Sequence, residues 1–304
     1  QSLSKVPLMI TLDGEWGLSM RLTDTSKFPI NMTLGAIEND SLIYAYGKEV
    51  GRQCRRMGIH VNFAPVLDVN SNENNPVIGR RSFGESPEKV AHKAIAYAHG
   101  LESEGVLSVG KHFPGHGDTS DDSHKTLPIV NQTRHHLEKF ELVPFKKYIN
   151  SGLGGLMVGH LNVPAFDNYS RLPASLSPAI TDTLLQQKMK FKGLVFTDAL
   201  EMKGASEFPN LAAKALLAGN DILLKPLSPI TKMEELLKAI DDGVIPHSLI
   251  EEKCLKVLRY KYILGLNHYS AIPLKNLNED LNTRQTQLLI QELYAAAITI
   301  LKNT

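Results

Sequence analysis

Six short, mostly unalternated apolar runs divide this chain: Leu8–Asp13, Val61–Asp68, Val106–Phe113, Gly155–Leu161, Leu194–Leu200 and Asp221–Lys225. A run without polar alternation reads as a strand buried on both faces. Stretches with helical spacing separate the runs: Asn39–Met57, Ser86–Ser103, Arg134–Asn150, Ser177–Met189, Leu211–Ala218 and Ser228–Asp241. Serine before proline opens three of them, at Ser86, Ser177 and Ser228, which places a cap ahead of a first-turn proline. Ser248 with Glu251 forms a capping box for a further helix over Leu249–Leu264. Strict strand–helix alternation predicts an α/β fold built on a parallel sheet.

The polar residues of these runs gather at their C-terminal ends: Asp13, Asp68, His112 to His116, His160 and Asp198. A doubly wound sheet uses one crevice, whereas a (β/α)8 barrel collects every strand end at one mouth. Five chemically equipped ends favour the TIM-type barrel. Six strands are two short of closure, so either two are absent from this chain or the count is low. Residues 1–270 read as this barrel. Ala271–Asp280 reads as a linker, followed by a helix over Leu281–Ala297 and the strand-like AITILKN within 271–304.

Composition removes several function classes. With 304 residues the chain can bury a sizeable core. A net charge of +1 with no basic stripe disfavours nucleic acid and anionic membranes as partners. No apolar run approaches the roughly 18–20 residues of a membrane span. Cys54 and Cys254 are too few for a disulfide framework or a zinc cage. No signal peptide is present, and the abrupt start at Gln1 reads as a mature or trimmed chain.

The densest chemistry lies in KHFPGHGDTSDDSHKTL, Lys111–Leu127, directly after an apolar run. Histidines and carboxylates so placed are costly to bury unless they move protons or bind a polar ligand. Asp122 and His124 are two residues apart; the carboxylate can fix the ring tautomer and raise its basicity, making His124 a candidate acid/base. The same pair could be a solvated loop. His112, His116 and Asp118 have a weakly specific metal-ligand spacing, but Lys111 would repel a cation and suits hydroxyls instead. Asp198 ends LVFTD and is a candidate nucleophile or electrostatic stabiliser, or else the cap of a short helix through Glu201 and Met202. Arg80 and Arg81 follow the Asn70–Asn75 loop, and an arginine fork can grip vicinal hydroxyls. Asp13, Glu15 and Trp16 make another strand-end cluster, with the ring as a candidate sugar platform.

KHFPGHGDTSDDSHKTLP closely resembles the signature of glycoside hydrolase family 3, in its β-N-acetylglucosaminidase branch. LMITLDGE, NFAPVLDV, GRRSFG, MVGHLNVP, LVFTDALEM and AGNDILL agree with it in order and spacing, from about Leu8 to Lys302. The resemblance implies a (β/α)8-type barrel whose first two strands precede Leu8–Asp13 and are not in this chain, and a second α/β domain after ITILKN. It implies a retaining exo-β-N-acetylglucosaminidase without cofactor or metal. The nucleophile falls on Asp198 and the acid/base dyad on Asp122 and His124. Sugar binding falls on Asp13, Arg81, Lys111 and His112, with Asp68, His160 and Trp16 as further lining. One departure is DGEWGLSMR in place of D-Q-E-G-G-R: Leu18 stands where an arginine is usual, and Arg21 is the candidate substitute.

Three other readings share these residues. A histidine acid/base carries less negative charge than a carboxylate, so phosphate could be the acceptor in a glycoside phosphorylase. A β-glucosidase of the same family or a silent sugar-binding barrel would also keep the fold. A bacterial periplasm or cell-envelope location and peptidoglycan-derived or chitin-derived sugars go with the first reading.

Overall fold

The computed structural model describes residues 4–123, 125–168, 171–268 and 270–300. One sheet runs in the order β1 (Thr11–Leu12), β2 (Val61–Asn62), β3 (Leu107–Phe113), β4 (Gly155–Val158) and β5 (Leu194–Thr197). Every pairing is parallel. Spatial order equals sequence order, so successive crossovers all advance in one direction around the sheet. The sixth run adds one bridge, Phe196 to Ile222. The fold is therefore α/β with a parallel half-barrel of five strands; the described residues do not close the expected eight-stranded barrel.

The strands are shorter than their runs for a local reason. In Val61–Asp68, Pro65 has no N–H to give to a ladder. Pairing stops after Asn62 and resumes as single contacts, with Leu67 N–H donating to Lys111 O at 2.6 Å. Past that point the chain is free to turn, and the polar residues of the run lie in the turns.

Residues alternate between two cores across the sheet. On one face Val158, Val195 and Phe113 meet helices Asp40–Arg56, Pro87–Ser103 and Leu142–Asn150, through Tyr46, Tyr97 and Phe145. The first two helices touch backbone to backbone: a Cβ on Gly47 would fall 2.1 Å from Tyr97 O, so only glycine fits. On the other face Phe63, Val109, Met157 and Phe196 pack with Val257 and Tyr260 of helix His247–Ile263. Asp221 ties that helix to the sheet by accepting from Val195 N at 2.8 Å, Lys253 Nζ at 3.2 Å and Lys256 Nζ at 2.6 Å.

The Ser86 cap is found as expected, and Asn39 caps Asp40–Arg56 as well. Arg134–Asn150 is two helices, Arg134–Lys139 and Leu142–Asn150, because Pro144 cannot donate to the carbonyl four residues back. Ser177–Met189 is shortened to Ala179–Lys188 and is π-wound. Ser228 is left-handed and gives no side-chain cap to Pro229–Asp241. The capping box at Ser248 is absent: the helix begins at His247, after Pro246, so Ser248 already lies inside the first turn. The expected linker is bound to the domain. Arg56 donates to Pro273 O at 2.7 Å, Lys275 O at 2.9 Å and Asp280 Oδ2 at 2.8 Å, and helix Arg284–Ala296 starts from a Thr283 cap. No helix of the described residues is long and apolar enough to cross a membrane.

Candidate active site

A cavity of about 320 Å³ lies at the C-terminal ends of the strands. Its charged wall comes from three separate segments. Lys111 belongs to the end of β3, Asp13 and Glu15 follow β1, and Arg81 follows β2. Glu15 is the hub. Its carboxylate accepts from Arg81 Nη2 at 2.7 Å and Nε at 3.0 Å, a two-pronged pairing, and from Lys111 Nζ at 2.8 Å. Lys111 also donates to Asp13 Oδ1 at 2.8 Å. Burial works to raise the Glu15 carboxyl, but the Lys111 and Arg81 charges prevail and hold it far below the usual range. Burial works to lower the Lys111 ammonium, and Glu15 and Asp13 reverse that and raise it.

Asn62, at the end of β2, fixes the turn that carries Glu15. Its amide accepts from Gly14 N at 2.9 Å and donates to Gly14 O at 3.0 Å. Gly17 continues that turn with φ 93°, open to glycine and strained for other residues. Arg21 occupies the cavity wall and reaches Asp13, with Nε donating to its carbonyl at 3.1 Å and Nη2 standing 3.6 Å from its carboxylate.

Asp68 is wholly buried and organises the histidine turn from behind. It accepts from the backbone N–H of His112 at 3.1 Å and of His116 at 2.8 Å, and from His112 Nδ1 at 2.6 Å. Burial opposes its ionisation, but the His112 and His116 groups lower its pKa overall. With Nδ1 donating to Asp68, His112 turns Nε2 toward Arg81 Nη2 at 3.4 Å. Thr119 gives its proton to His116 O at 3.0 Å, so His116 Nδ1 is the donor to Thr119 Oγ1 at 2.7 Å and Nε2 accepts from Ser123 at 3.1 Å. Burial, with His112 alongside, lowers the His116 pKa to about 4, which keeps the ring neutral. Both of its nitrogens are used, Asp118 accepts from Gln132 at 2.8 Å, and among the described residues no group of His, Cys, Asp and Glu could hold a metal ion.

Asp198 directly follows β5 and lines the same cavity. Its Oδ1 accepts from Ala199 N at 2.8 Å. Among the described residues no lysine or arginine makes an ion pair with it. Burial works against its charge, but His112, His160, the Ala199 amide and Lys111 together lower its pKa. His160 is wholly buried behind it, donating from Nε2 to Ala199 O at 3.0 Å and meeting Ser175 Oγ at 2.7 Å through Nδ1.

The structure thus brings Asp13, Arg81, Lys111, His112 and Asp198 to one cavity. Asp68 and His160, expected as lining, stand behind the wall and position residues that form it. Trp16 is half-buried and outside the wall, and Arg80 is exposed. Asp122 is half-buried; its carbonyl closes a turn by accepting from Lys125 N at 2.8 Å, and its carboxylate is 4.0 Å from Lys125 Nζ. Its neighbour Ser123 reaches the cavity. His124 lies outside the described residues. Glu15, Asn62 and Asn75 carry more of the site than their sequence signals implied. Asn75 donates to His116 O at 2.8 Å and Gly117 O at 3.0 Å and accepts from Ile78 N at 2.8 Å, joining the histidine turn to the segment that bears Arg81. The sequence signals for them are slight: Glu15 stands two residues after Asp13, and Asn75 ends the asparagine-rich loop before Arg80 and Arg81.

Comparison with known proteins bears on this arrangement. Residues 1–260 match the Glycosyl hydrolase family 3 N terminal domain. The Beta-hexosaminidase A of Pseudoalteromonas piscicida is 35% identical over the whole of this chain, which spans 55% of that protein. The Beta-hexosaminidase of Nitrosomonas eutropha is 33% identical over 91% of this chain and 84% of its own length. Among solved structures, a glycoside hydrolase family 3 beta-N-acetylglucosaminidase from Paenibacillus superposes with a TM-score of 0.92 at 36% identity, covering 98% of this chain and 58% of that one.

Proposed function

The chain belongs to glycoside hydrolase family 3, and from that footing we propose that it forms the catalytic part of a retaining exo-β-N-acetylglucosaminidase. The names of the Pseudoalteromonas, Nitrosomonas and Paenibacillus relatives support this substrate class. The observation that carries the reading is one ionised aspartate, Asp198, in the wall of a cavity whose other side is a closed lattice of charged donors and acceptors. Such a cavity suits a single polar ring held by its hydroxyls beside a nucleophile.

In the first step Asp198 attacks the anomeric carbon, the bond to the leaving oxygen breaks, and a glycosyl-enzyme forms. His124, oriented by Asp122, gives that oxygen its proton. In the second step the neutral imidazole takes a proton from water, and the resulting hydroxide displaces Asp198 with overall retention. Asp13, Arg81, Lys111 and His112 hold the terminal sugar, Arg81 and Lys111 being set by Glu15. Residues 1–270 are the catalytic barrel, completed by two strands ahead of β1, and 271–304 lead toward a second α/β domain. Terminal N-acetylglucosamine of peptidoglycan or chitin fragments, in the bacterial periplasm or envelope, is the natural substrate.

The test is to treat the protein with a slow fluorinated N-acetylglucosaminide and map the label, while following product configuration by NMR with and without phosphate. Label on Asp198, a β-configured product and no phosphate dependence are expected. Label elsewhere, or a sugar phosphate as product, rejects the reading.

A further inference from the structure

The cavity has two unlike walls. On one, Arg81, Lys111, Glu15 and Asp13 satisfy one another within a mostly buried lattice. On the other, beyond Asp198, lie Glu201 and Lys225, which the sugar-holding lattice does not include. Their ion pair is short, 2.7 Å from Nζ to Oε1, although the side chains are 64% and 42% exposed for Lys225 and Glu201. An exposed pair of this kind adds little to stability.

The backbone around it is nonetheless built with care. Leu224 is pinned from both sides: its N–H donates to Thr197 Oγ1 at 3.0 Å and its carbonyl accepts from Leu200 N at 2.8 Å. The next residue, Lys225, has φ 42°, a left-handed conformation that a lysine adopts at a cost. A strained, anchored backbone that ends in a weakly held ammonium at a cavity mouth points to a use other than stability. Arg21, another exposed cation among the described residues of this cavity, is tied to Asp13 at two points, its carbonyl and its carboxylate. Lys225 can exchange Glu201 for another carboxylate at small cost, since the pair it leaves is open to solvent.

We propose that Lys225, with Glu201 as its resting partner, sets specificity on the leaving-group side of the cavity and favours leaving groups that carry a carboxylate. The proposal rests on the glycosidase reading above. Its test uses two β-N-acetylglucosaminides of matched shape, one of 4-hydroxybenzoate and one of 4-hydroxybenzamide, so that only charge differs. The readout is the ratio of kcat/KM for acid over amide. Replacing the ammonium in Lys225→Met, with Lys225→Gln as a second neutral variant, should lower that ratio about fivefold to tenfold. Lys225→Arg should keep the wild-type ratio, and Glu201→Gln should raise it. A ratio within about twofold of wild type in both neutral variants overturns the proposal. Calorimetric binding of the two glycosides to the Asp198→Asn protein separates this from the parent reading. Binding with the same charge preference but no turnover by wild type removes the hydrolase and keeps the anion-selective site; no binding of either glycoside removes both.

Discussion

Glu15 shows how much a single buried carboxylate can organise. It holds two cations that face the cavity, so Glu15→Ala leaves Arg81 and Lys111 without their shared partner. Breaking one side of a buried ion pair costs about 3–5 kcal/mol, and catalytic efficiency should fall by tenfold or more, read by chemical denaturation and kcat/KM together. Loss of activity without loss of stability would show that the lattice is not under this strain. Asp122 and His124 are expected to act as one unit. Their alanine variants should be non-additive, and both should slow substrates with poor leaving groups far more than activated ones. Equal slowing of both substrate types would remove His124 as the acid. Glu141 makes a different prediction. It is buried against Gly115 of the histidine turn, accepts from Ser71 Oγ at 2.9 Å, and its Oε2 has no hydrogen-bond partner among the described residues. Burial, with Asp68 and Asp118 nearby, raises its pKa from 4.5 to about 8. Between those values only the unfolded chain releases the proton readily, so the stability this group lends is complete below 4.5 and is lost as pH rises through 8. Glu141→Gln keeps the acceptor for Ser71 and cannot ionise. Its Tm relative to wild type should therefore improve from pH 5 to pH 8; a constant difference would mean that Glu141 titrates as an exposed carboxyl does.

At the scale of elements, Arg56 is the clasp between the sheet-packing helix Asp40–Arg56 and the segment that follows helix His247–Ile263. It makes two bonds to carbonyls and one to a carboxylate. Arg56→Ala should destabilise the chain by about 1–3 kcal/mol and raise hydrogen exchange in residues 273–281 before the rest of the domain. Uniform exchange across the domain would mean that the segment is held by its apolar contacts alone. The same segment, Ala271–Asp280, reads as a linker in the sequence, with one proline, Pro273. The structure adds a short helix over Leu277–Leu281 and the attachment, which spacing does not reveal because the attaching group is an arginine more than two hundred residues away in sequence. Arg134–Asn150 erred in the opposite way: its apolar spacing continues through Phe140, and Pro144 alone divides it.

At the scale of the whole molecule, the described half-barrel runs from β1 to the bridge between β5 and the sixth run, and apolar side chains are exposed around it. Leu8 is 55% exposed beside β1, and Ile230 and Tyr262 are 78% and 68% exposed on the helices after the sixth run. Exposed apolar surface of this kind favours association. The 304-residue chain alone should sediment as more than a monomer and bind an apolar dye. A monodisperse monomer that ignores the dye would show that these faces are self-sufficient.

The strand runs, most of the helical stretches and the strand-end location of Asp13, Lys111, His112 and Asp198 were legible in the sequence because each depends on local information. Apolar runs set strands, Ser86 before Pro87 sets one of the caps, and a strand end is where a polar residue escapes the sheet. The histidine signature was legible as well, since its glycines and histidines are contiguous. What only the tertiary structure decided is which of these groups meet. Glu15, Arg81 and Lys111 are far apart in the chain, and their pairing depends on three strand ends arriving at one mouth. Asp68 and His160 carry the same residue types as true lining, yet a side chain's distance from a cavity is a property of packing, and packing puts both behind the wall. Spacing encodes conformation over a few residues, while contact is settled by the sheet that brings distant turns together.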